Sequence, residues 1–570
     1  MRLSVTKYKN GFSLYVIKSV YKNGVRSTKV VEKLGTDTSL REKLKGQDPF
    51  LWAKEYIEKL NRQEKEQTRE VLVKYCSIKQ ITKDEQHLFN GGYLFLQNIY
   101  RQLGLNNICR TISKKYRFAF NLDAVLSRLI YGRIIFPSSK KATYELAQKF
   151  IEKPDFELQH VYRALEIMAQ ETAFIQSELY RNSTSLSERN TAVLYYDCTN
   201  YFFETEQEEG LKQYGHSKEF RPNPIVQMGL FMDGDGIPLA FSIHKGNTNE
   251  QTTLKPLEKK ILSDFGLDRF VVCTDAGVSK VSNRAFNNCQ NRGFIVTQSL
   301  KKLKEHLRTW ALDPGGYRLA GDSRTYDIHA INEEEHKDSI FCKERWINED
   351  GLEQRLIVTY SVKYRDYQRR VRDCQINRAC KLVDSNPGKI TKVNQNDCRR
   401  FIAQTSYTDS GEIAEHLSYS VDESIAAGEA VYDGLYGICT NLEDEAALIA
   451  KINKRRWMIE ECFRIMKSEF KARPVYLSRD DRITAHFTTC FLSLVIYRLL
   501  ERKLGDKFTY CQIIDGLRSM NFCPVPGEGY LPAYTRNDFT DALHDAFGFR
   551  TDYQILTDRY LKKIVKDSKK

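Results

Sequence analysis

No two of the fourteen cysteines, which run from Cys76 to Cys523, stand as a Cys-x-x-Cys pair. That scatter excludes a zinc ribbon and a disulfide framework, and it predicts a reducing compartment in which the thiols serve as small core residues. Long apolar runs are scarce as well. The longest, Phe487 to Leu500, reads as too short and too polar to span a bilayer, and the opening Met1-Arg2-Leu3-Ser4-Val5-Thr6-Lys7 contains no apolar signal region. A soluble, cytoplasmic protein without a membrane partner is expected. There is no fixed-period repeat and no low-complexity tract, which excludes solenoids and linker-like tails.

What the chain does have is length and positive charge. At 570 residues it exceeds a usual single domain, so more than one folding unit and a large core are expected. Its 88 Lys and Arg against 74 Asp and Glu leave a formal charge of +14, which favours a polyanionic partner without proving one. The distribution is more telling. Residues 1–50 hold eleven basic against four acidic side chains. Residues 363–381 bring Lys363, Arg365, Arg369, Arg370, Arg372, Arg378 and Lys381 together, with Tyr364 and Tyr367 between them. Both segments suit phosphate.

The first 35 residues alternate apolar and polar and are broken by Asn10-Gly11 and Asn23-Gly24, which predicts a three-stranded meander with tight hairpins. From Phe50 to about Ser185 the spacing turns helical, as in Leu122, Val125, Leu126, Leu129 and Ile130. Strands are then expected over 192–203, 225–232, 237–244, 269–274 and 293–298, with helices over 249–265 and 281–291. The result is an α/β arrangement, a mixed sheet flanked by helices. Residues 301–430 break the rhythm with short β-like pieces such as Leu356–Val362 and read as a β-rich insertion. A buried strand resumes after Tyr432-Asp433-Gly434, and a helical pattern follows through Phe470.

Two carboxylates fall in strands. Asp197 ends the run Val193-Leu194-Tyr195-Tyr196, and Asp275 closes Phe270-Val271-Val272-Cys273-Thr274. Ionised carboxylates are costly to bury alone, and a cation is one partner that would accept both. Read singly, Asp197 could instead be hydrogen-bonded in place, and Asp275 could cap the turn into Ala276-Gly277. A third acid, Glu460, lies in Arg456-Trp457-Met458-Ile459-Glu460-Glu461-Cys462-Phe463-Arg464-Ile465-Met466-Lys467. There Ile459, Phe463, Met466 and Phe470 form an apolar stripe, and Arg456, Glu460, Arg464, Lys467 and Lys471 line a neighbouring face. One acid among four bases suits a metal beside phosphates; a solvated face with i,i+4 ion pairs is the plain alternative.

Taken in order, Asp197, Asp275 and then Arg456-x3-Glu460-x6-Lys467 resemble the DDE transposases of bacterial insertion sequences. The likeness is greatest to the insertion-sequence-4 superfamily and, within it, the insertion-sequence-1634 group. The superfamily signature is Tyr-x2-Arg-x3-Glu-x6-Lys; Asn453 stands where the tyrosine would be. Gly246-Asn247-Thr248-Asn249-Glu250, Thr274-Asp275-Ala276-Gly277 and Tyr432-Asp433-Gly434 add to the resemblance.

That resemblance implies an RNase H-like catalytic core in two parts, 189–300 and 431–500, interrupted by the insertion 301–430. It is preceded by a meander (1–48) and a helical DNA-binding and assembly region (49–188), and followed by a helical region with a basic tail (501–570). It further implies that Asp197, Asp275 and Glu460 are catalytic and hold two Mg2+ ions, for which Mn2+ would substitute. Arg456, Lys467, Arg464, Lys471, Arg369, Arg370 and Arg372 would contact DNA. A nucleoid-associated homodimer would bind terminal inverted repeats, cut at the element's ends and join 3′-hydroxyls to target DNA. An RNase H-like nuclease that does not join, and an inactive DNA-binding relative, remain the alternatives. Asn453→Tyr, restoring the family residue, is expected to be tolerated or to tighten end binding.

Other features read more plainly. Asp233 and Asp235 are expected in a hairpin turn and His486 in the core. Lys562, Lys563, Lys566, Lys569 and Lys570 are expected in a frayed basic tail. Trp310 and Trp346 belong either to the insertion's own core or to a base-stacking surface.

Overall fold

The computed structural model describes residues 1–8, 11–22, 25–44, 47–67, 77–78, 80–385, 397–407 and 416–570. The chain divides into two compact units, Met1–Glu85 with Val525–Glu528, and Gln86–Pro524 with Gly529–Lys570.

In the first unit, strands Arg2–Tyr8, Gly11–Lys22 and Val25–Thr36 pair antiparallel as the expected meander. The two Asn-Gly turns fall largely outside the described residues. Register shifts beside Leu14 and Val16 mark bulges in the middle strand. Helices Asp37–Leu44 and Pro49–Gln67 follow, and Leu14, Leu40 and Ala53 form a small core with Phe12, Phe50 and Trp52 around it.

The second unit begins with six helices between Tyr93 and Leu186. Their ends are set by local chemistry: Asn121 accepts from the Ala124 amide and Ser139 from the Ala142 amide, and each starts a helix. They pack against the long helix Asp480–Lys503. That helix corrects the sequence reading of Phe487–Leu500. By length and composition it is apolar enough to cross a membrane, yet almost all of it is buried inside the protein. Thr489 and Ser493 stay inside by donating to carbonyls one turn back.

A nine-stranded mixed sheet is the scaffold of this unit. From one edge the order is Arg318–Leu319, Phe341–Glu349, Leu352–Tyr360, Leu435–Thr440, Arg292–Gln298, Phe270–Thr274, Val193–Phe202, Ile225–Met232 and Pro238–Lys245. Val193–Phe202 runs parallel to Phe270–Thr274, which runs parallel to Arg292–Gln298; the other pairings are antiparallel. Within Val193–Gln298 the strands thus lie in the order third, second, first, fourth, fifth. Strand Ile225–Met232 is buried along its whole length, as a strand covered on both faces must be.

Beyond Gln298, strands Phe341–Glu349 and Leu352–Tyr360 continue the same sheet through Leu435–Thr440. The basic stretch at 364–381, read among β-like pieces, is part of a 23-residue helix, Val362–Asp384. The helix expected at 281–291 stops at Phe286. The C-terminal lysines correct another reading. Asp558–Asp567 is a helix capped by Thr557, Lys569 pairs with Glu152, and Lys570 pairs with Asp567 at 2.6 Å, so this end is not frayed.

Candidate active site

The alternation of one strand decides where Asp197 points. Leu194, Tyr196 and Cys198 enter the core made with helix Leu254–Asp264. Tyr195 and Tyr201 face the other way: the Tyr195 hydroxyl donates to the Ile452 carbonyl at 3.0 Å, and that of Tyr201 lies 3.7 Å from Met466 Sδ. Asp197 falls between those two tyrosines, on the face covered by helix Trp457–Arg464.

Strand register brings the second acid alongside. Tyr196 pairs in parallel with Thr274, so one residue later Asp197, inside its strand, comes level with Asp275, which follows the end of the neighbouring strand. Asp275 precedes the short turn Ala276–Val278, and its side chain makes no capping bond. It forms an ion pair with Arg456 at 2.9 Å instead, which removes the capping alternative.

Burial pushes the Asp197 carboxyl up to about 6, against the nearby Lys218 ammonium and the Cys198 amide, which donates at 2.7 Å; Asp275 adds to the rise and Arg456 opposes it. A largely buried acid and a half-exposed one thus stand on adjacent strands, with Lys218 and Arg456 as their cationic neighbours.

Helix Trp457–Arg464 supplies the third acid. Ile459, Phe463, Met466 and Phe470 are all buried, as their spacing requires. Glu460 is exposed and, among the described residues, takes part in no hydrogen bond or ion pair. Arg456, one turn earlier, is the residue on Asp275. After Arg464 the backbone widens into a π turn, Ile465–Glu469, with Phe470 N–H bonded to the Ile465 carbonyl at 2.9 Å. Lys467 therefore sits largely buried, with its ammonium over the Tyr201 ring and 3.4 Å from Glu219. Burial and Lys218 bring the Lys467 ammonium down to about 8, against the attraction of Asp197. Arg456 and Lys467 thus bracket the acids along the chain.

The other basic candidates lie differently. Arg464 is exposed, near Glu461 (3.7 Å) and Glu469 (3.4 Å). Lys471 leaves the helix face altogether, at a backbone φ of 46°, because the π turn ends the helix before it. On helix Val362–Asp384, both Arg372 guanidinium nitrogens meet the Asp433 carboxylate, and Arg369 stands 3.7 Å from it. Arg370 is exposed. Trp310 packs on the core around Tyr317 and Tyr360, whereas Trp346 is 46% exposed.

Asn453 is only 4% exposed. Its amide donates to the Tyr436 hydroxyl at 3.2 Å and its carbonyl lies 3.6 Å from Cys273 Sγ. A tyrosine there would have to displace both neighbours, so the tolerance expected of Asn453→Tyr does not fit this packing.

Lys218 and Glu250 escaped the sequence reading. Lys218 Nζ bonds the Cys198 carbonyl at 2.6 Å and Glu250 at 3.0 Å, next to Asp197. Glu250 belongs to the quoted Gly246–Glu250 run, but nothing local announced Lys218. Asp233 and His486 behave as expected: Asp233 closes the hairpin by accepting from the Asp235 and Ile237 amides, and His486 is buried against the Ala472 carbonyl.

Among the described residues, one triple of ligand atoms lies within 4.8 Å, that of Asp541, His544 and Asp552. Arg536 and Arg550 already meet its carboxylates. The ligand atoms of Asp197, Asp275 and Glu460 do not all lie within 4.8 Å of one another.

Comparison with known proteins supplies the family. No curated protein matches the chain. A cryo-EM structure of a piggyBac transposase synaptic complex with hairpin DNA aligns over 84% of both chains at a TM-score of 0.35 and 8% identity, a likeness too slight to carry an argument. The family model of the transposase DDE domain matches residues 192–496, more than half of the chain and the stretch holding all three acids. The chain belongs to the transposases that carry a DDE domain.

Proposed function

We propose that this transposase cuts DNA at the ends of its own mobile element and joins the exposed 3′-hydroxyls to target DNA, using Asp197, Asp275 and Glu460. The observation carrying this reading is the parallel Tyr196 and Thr274 register, which sets Asp197 and Asp275 side by side beneath the helix bearing Glu460. The strand order within Val193–Gln298 and the return to helix at Trp457 support an RNase H-like core. The spacing of Arg456, Glu460 and Lys467 supports the insertion-sequence-4 superfamily and its insertion-sequence-1634 group.

DDE transposases generally depend on divalent metal, and the residues here fit one. The donors are hard carboxylate oxygens, suited to Mg2+ or Mn2+. Burial disfavours the charge on Asp197, and Glu460 has no hydrogen-bond or ion-pair partner among the described residues. Asp197, Asp275 and Glu460 would hold the metal, which when bound supplies charge for activating the attacking oxygen and stabilising the leaving one.

The chain's own groups do the rest. Lys467, near Asp197, and Arg456, on Asp275, would orient the phosphates flanking the cut. Lys218, held by Glu250 and the Cys198 carbonyl, keeps Asp197 ionised. Inverted-repeat DNA and target DNA are the partners, and two copies would hold the two ends.

Duplexes tiled across the DNA flanking the gene provide the test. The wild-type protein should nick and join end-containing duplexes with Mg2+, while Asp197→Asn, Asp275→Asn and Glu460→Gln bind them and do neither. Cleavage without joining would favour a nuclease instead.

A further inference from the structure

A cavity of about 210 Å3 opens between the start of helix Lys140–Ala147 and the segment after the Glu460 helix. Arg133, Lys140, Lys141, Lys471 and Arg473 line it, together with His486, and no carboxylate does.

The charges are unusually bare. Lys140 is 5% exposed, and its ammonium has no hydrogen-bond partner. Arg133 is 4% exposed and bonds only carbonyls, those of Phe470, Lys471 and Ser138, while its Nε is left without a partner. Lys141 and Lys471 are exposed at the rim, and neither meets an acid among the described residues. Arg473 alone is neutralised, by Glu219.

A buried ammonium without a partner costs far more than a surface one. Here it persists beside a guanidinium, buried in the wall of a cavity large enough for a ligand. Burial and Arg133 bring the Lys140 ammonium down to about 7, and burial with Lys140 and Arg133 keeps His486 well below its usual range. Burial is the larger cause of both shifts, and the neighbouring cations add to it.

We infer that this cavity is a phosphate-binding site, and that in the working protein it holds a backbone phosphate of bound DNA. Glu219 links it to the candidate active site, since this carboxylate meets both Arg473 at the cavity and Lys467 beside Asp197. A DNA strand whose phosphates touch Lys467 is thereby directed toward Lys471 and Lys140. The DNA half of the inference rests on the proposed function, whereas the phosphate half does not.

Two measurements on the full chain separate these halves. The first is thermal melting in sodium phosphate against sodium chloride at equal ionic strength. The second is the salt dependence of binding to a labelled duplex. Phosphate should raise the melting temperature of the wild type and leave Lys140→Met unmoved. Lys140→Met should melt no lower than wild type in chloride, because it removes a bare charge. In the duplex series its salt slope should be smaller by about 0.9, one phosphate contact. If Lys140→Met does not fold, the exposed double variant Lys141→Ala/Lys471→Ala should show the same two losses. Equal phosphate shifts in wild type and variants, or none in any, overturn the site. A phosphate shift lost in the variants with an unchanged duplex slope overturns the DNA assignment in favour of free phosphate. Asp197→Asn should keep the wild-type result in both measurements, so failure of the proposed chemistry would be seen separately.

Discussion

Asp197 is held where the folded chain resists its charge. With its carboxyl raised to about 6 by burial and by Asp275, the native state favours the protonated acid more than the unfolded chain does. The resulting stability is complete below the unfolded value near 4 and is lost as pH rises through 6. Without metal, Asp197→Asn should therefore stabilise the protein at pH 8 by on the order of 2 kcal/mol, with the difference vanishing near pH 4. Melting curves at the two pH values in chelator check this; equal curves at pH 8 would contradict it. Arg456 and Lys467 should act on DNA and not on metal. Each alanine variant should retain metal binding by calorimetry and cut roughly 30-fold more slowly, the effect of about 2 kcal/mol from one charge-assisted contact. Loss of metal affinity in Lys467→Ala as complete as in Glu460→Gln would refute that division.

Helix Val362–Asp384 shows how one basic stretch splits into different jobs. Arg372 forks onto Asp433, whose side chain is 6% exposed, so Arg372→Ala strands a buried carboxylate and should cost about 3 kcal/mol of stability. Arg370 is exposed; Arg370→Ala should leave the melting temperature unchanged and reduce the salt slope of DNA binding by about 0.9. Urea unfolding and binding titrations of the two variants separate the roles. Sequence reasoning placed both arginines in one DNA-binding set because spacing records charge but not the partner 61 residues away. The same limit explains other misses. Strands such as Phe270–Thr274 were legible because a short buried β run bounded by a carboxylate and glycine is a local pattern. That Leu435–Thr440 joins Arg292–Gln298 antiparallel and carries the sheet on to Leu352–Tyr360 is decided by pairing between residues as far apart as Ile295 and Thr440, which no local pattern records. The π turn that removes Lys471 from the Glu460 face was likewise invisible to a 3.6-residue count. That Asp197 lies in one buried strand, Asp275 at the end of another and Glu460 on an amphipathic helix was legible, because such patterns are local; that Lys218 reaches back from a loop was not.

At the scale of the molecule, the formal charge is +14, and Lys140, Lys141 and Lys471, which meet no acid among the described residues, line one cavity. Tight DNA association should therefore weaken steeply with salt, whereas the proposed chemistry would depend on three carboxylates that contribute little to that affinity. The most direct measurement is single-turnover cleavage of an end-containing duplex with Mg2+, made alongside equilibrium binding to the same duplex, for wild type, Asp197→Asn, Asp275→Asn and Glu460→Gln. The account predicts that all four proteins bind with affinities within a few-fold of one another and that only the wild type cuts and joins. Cutting at near wild-type rate by any of the three variants, with Mg2+ present and folding intact, would contradict it.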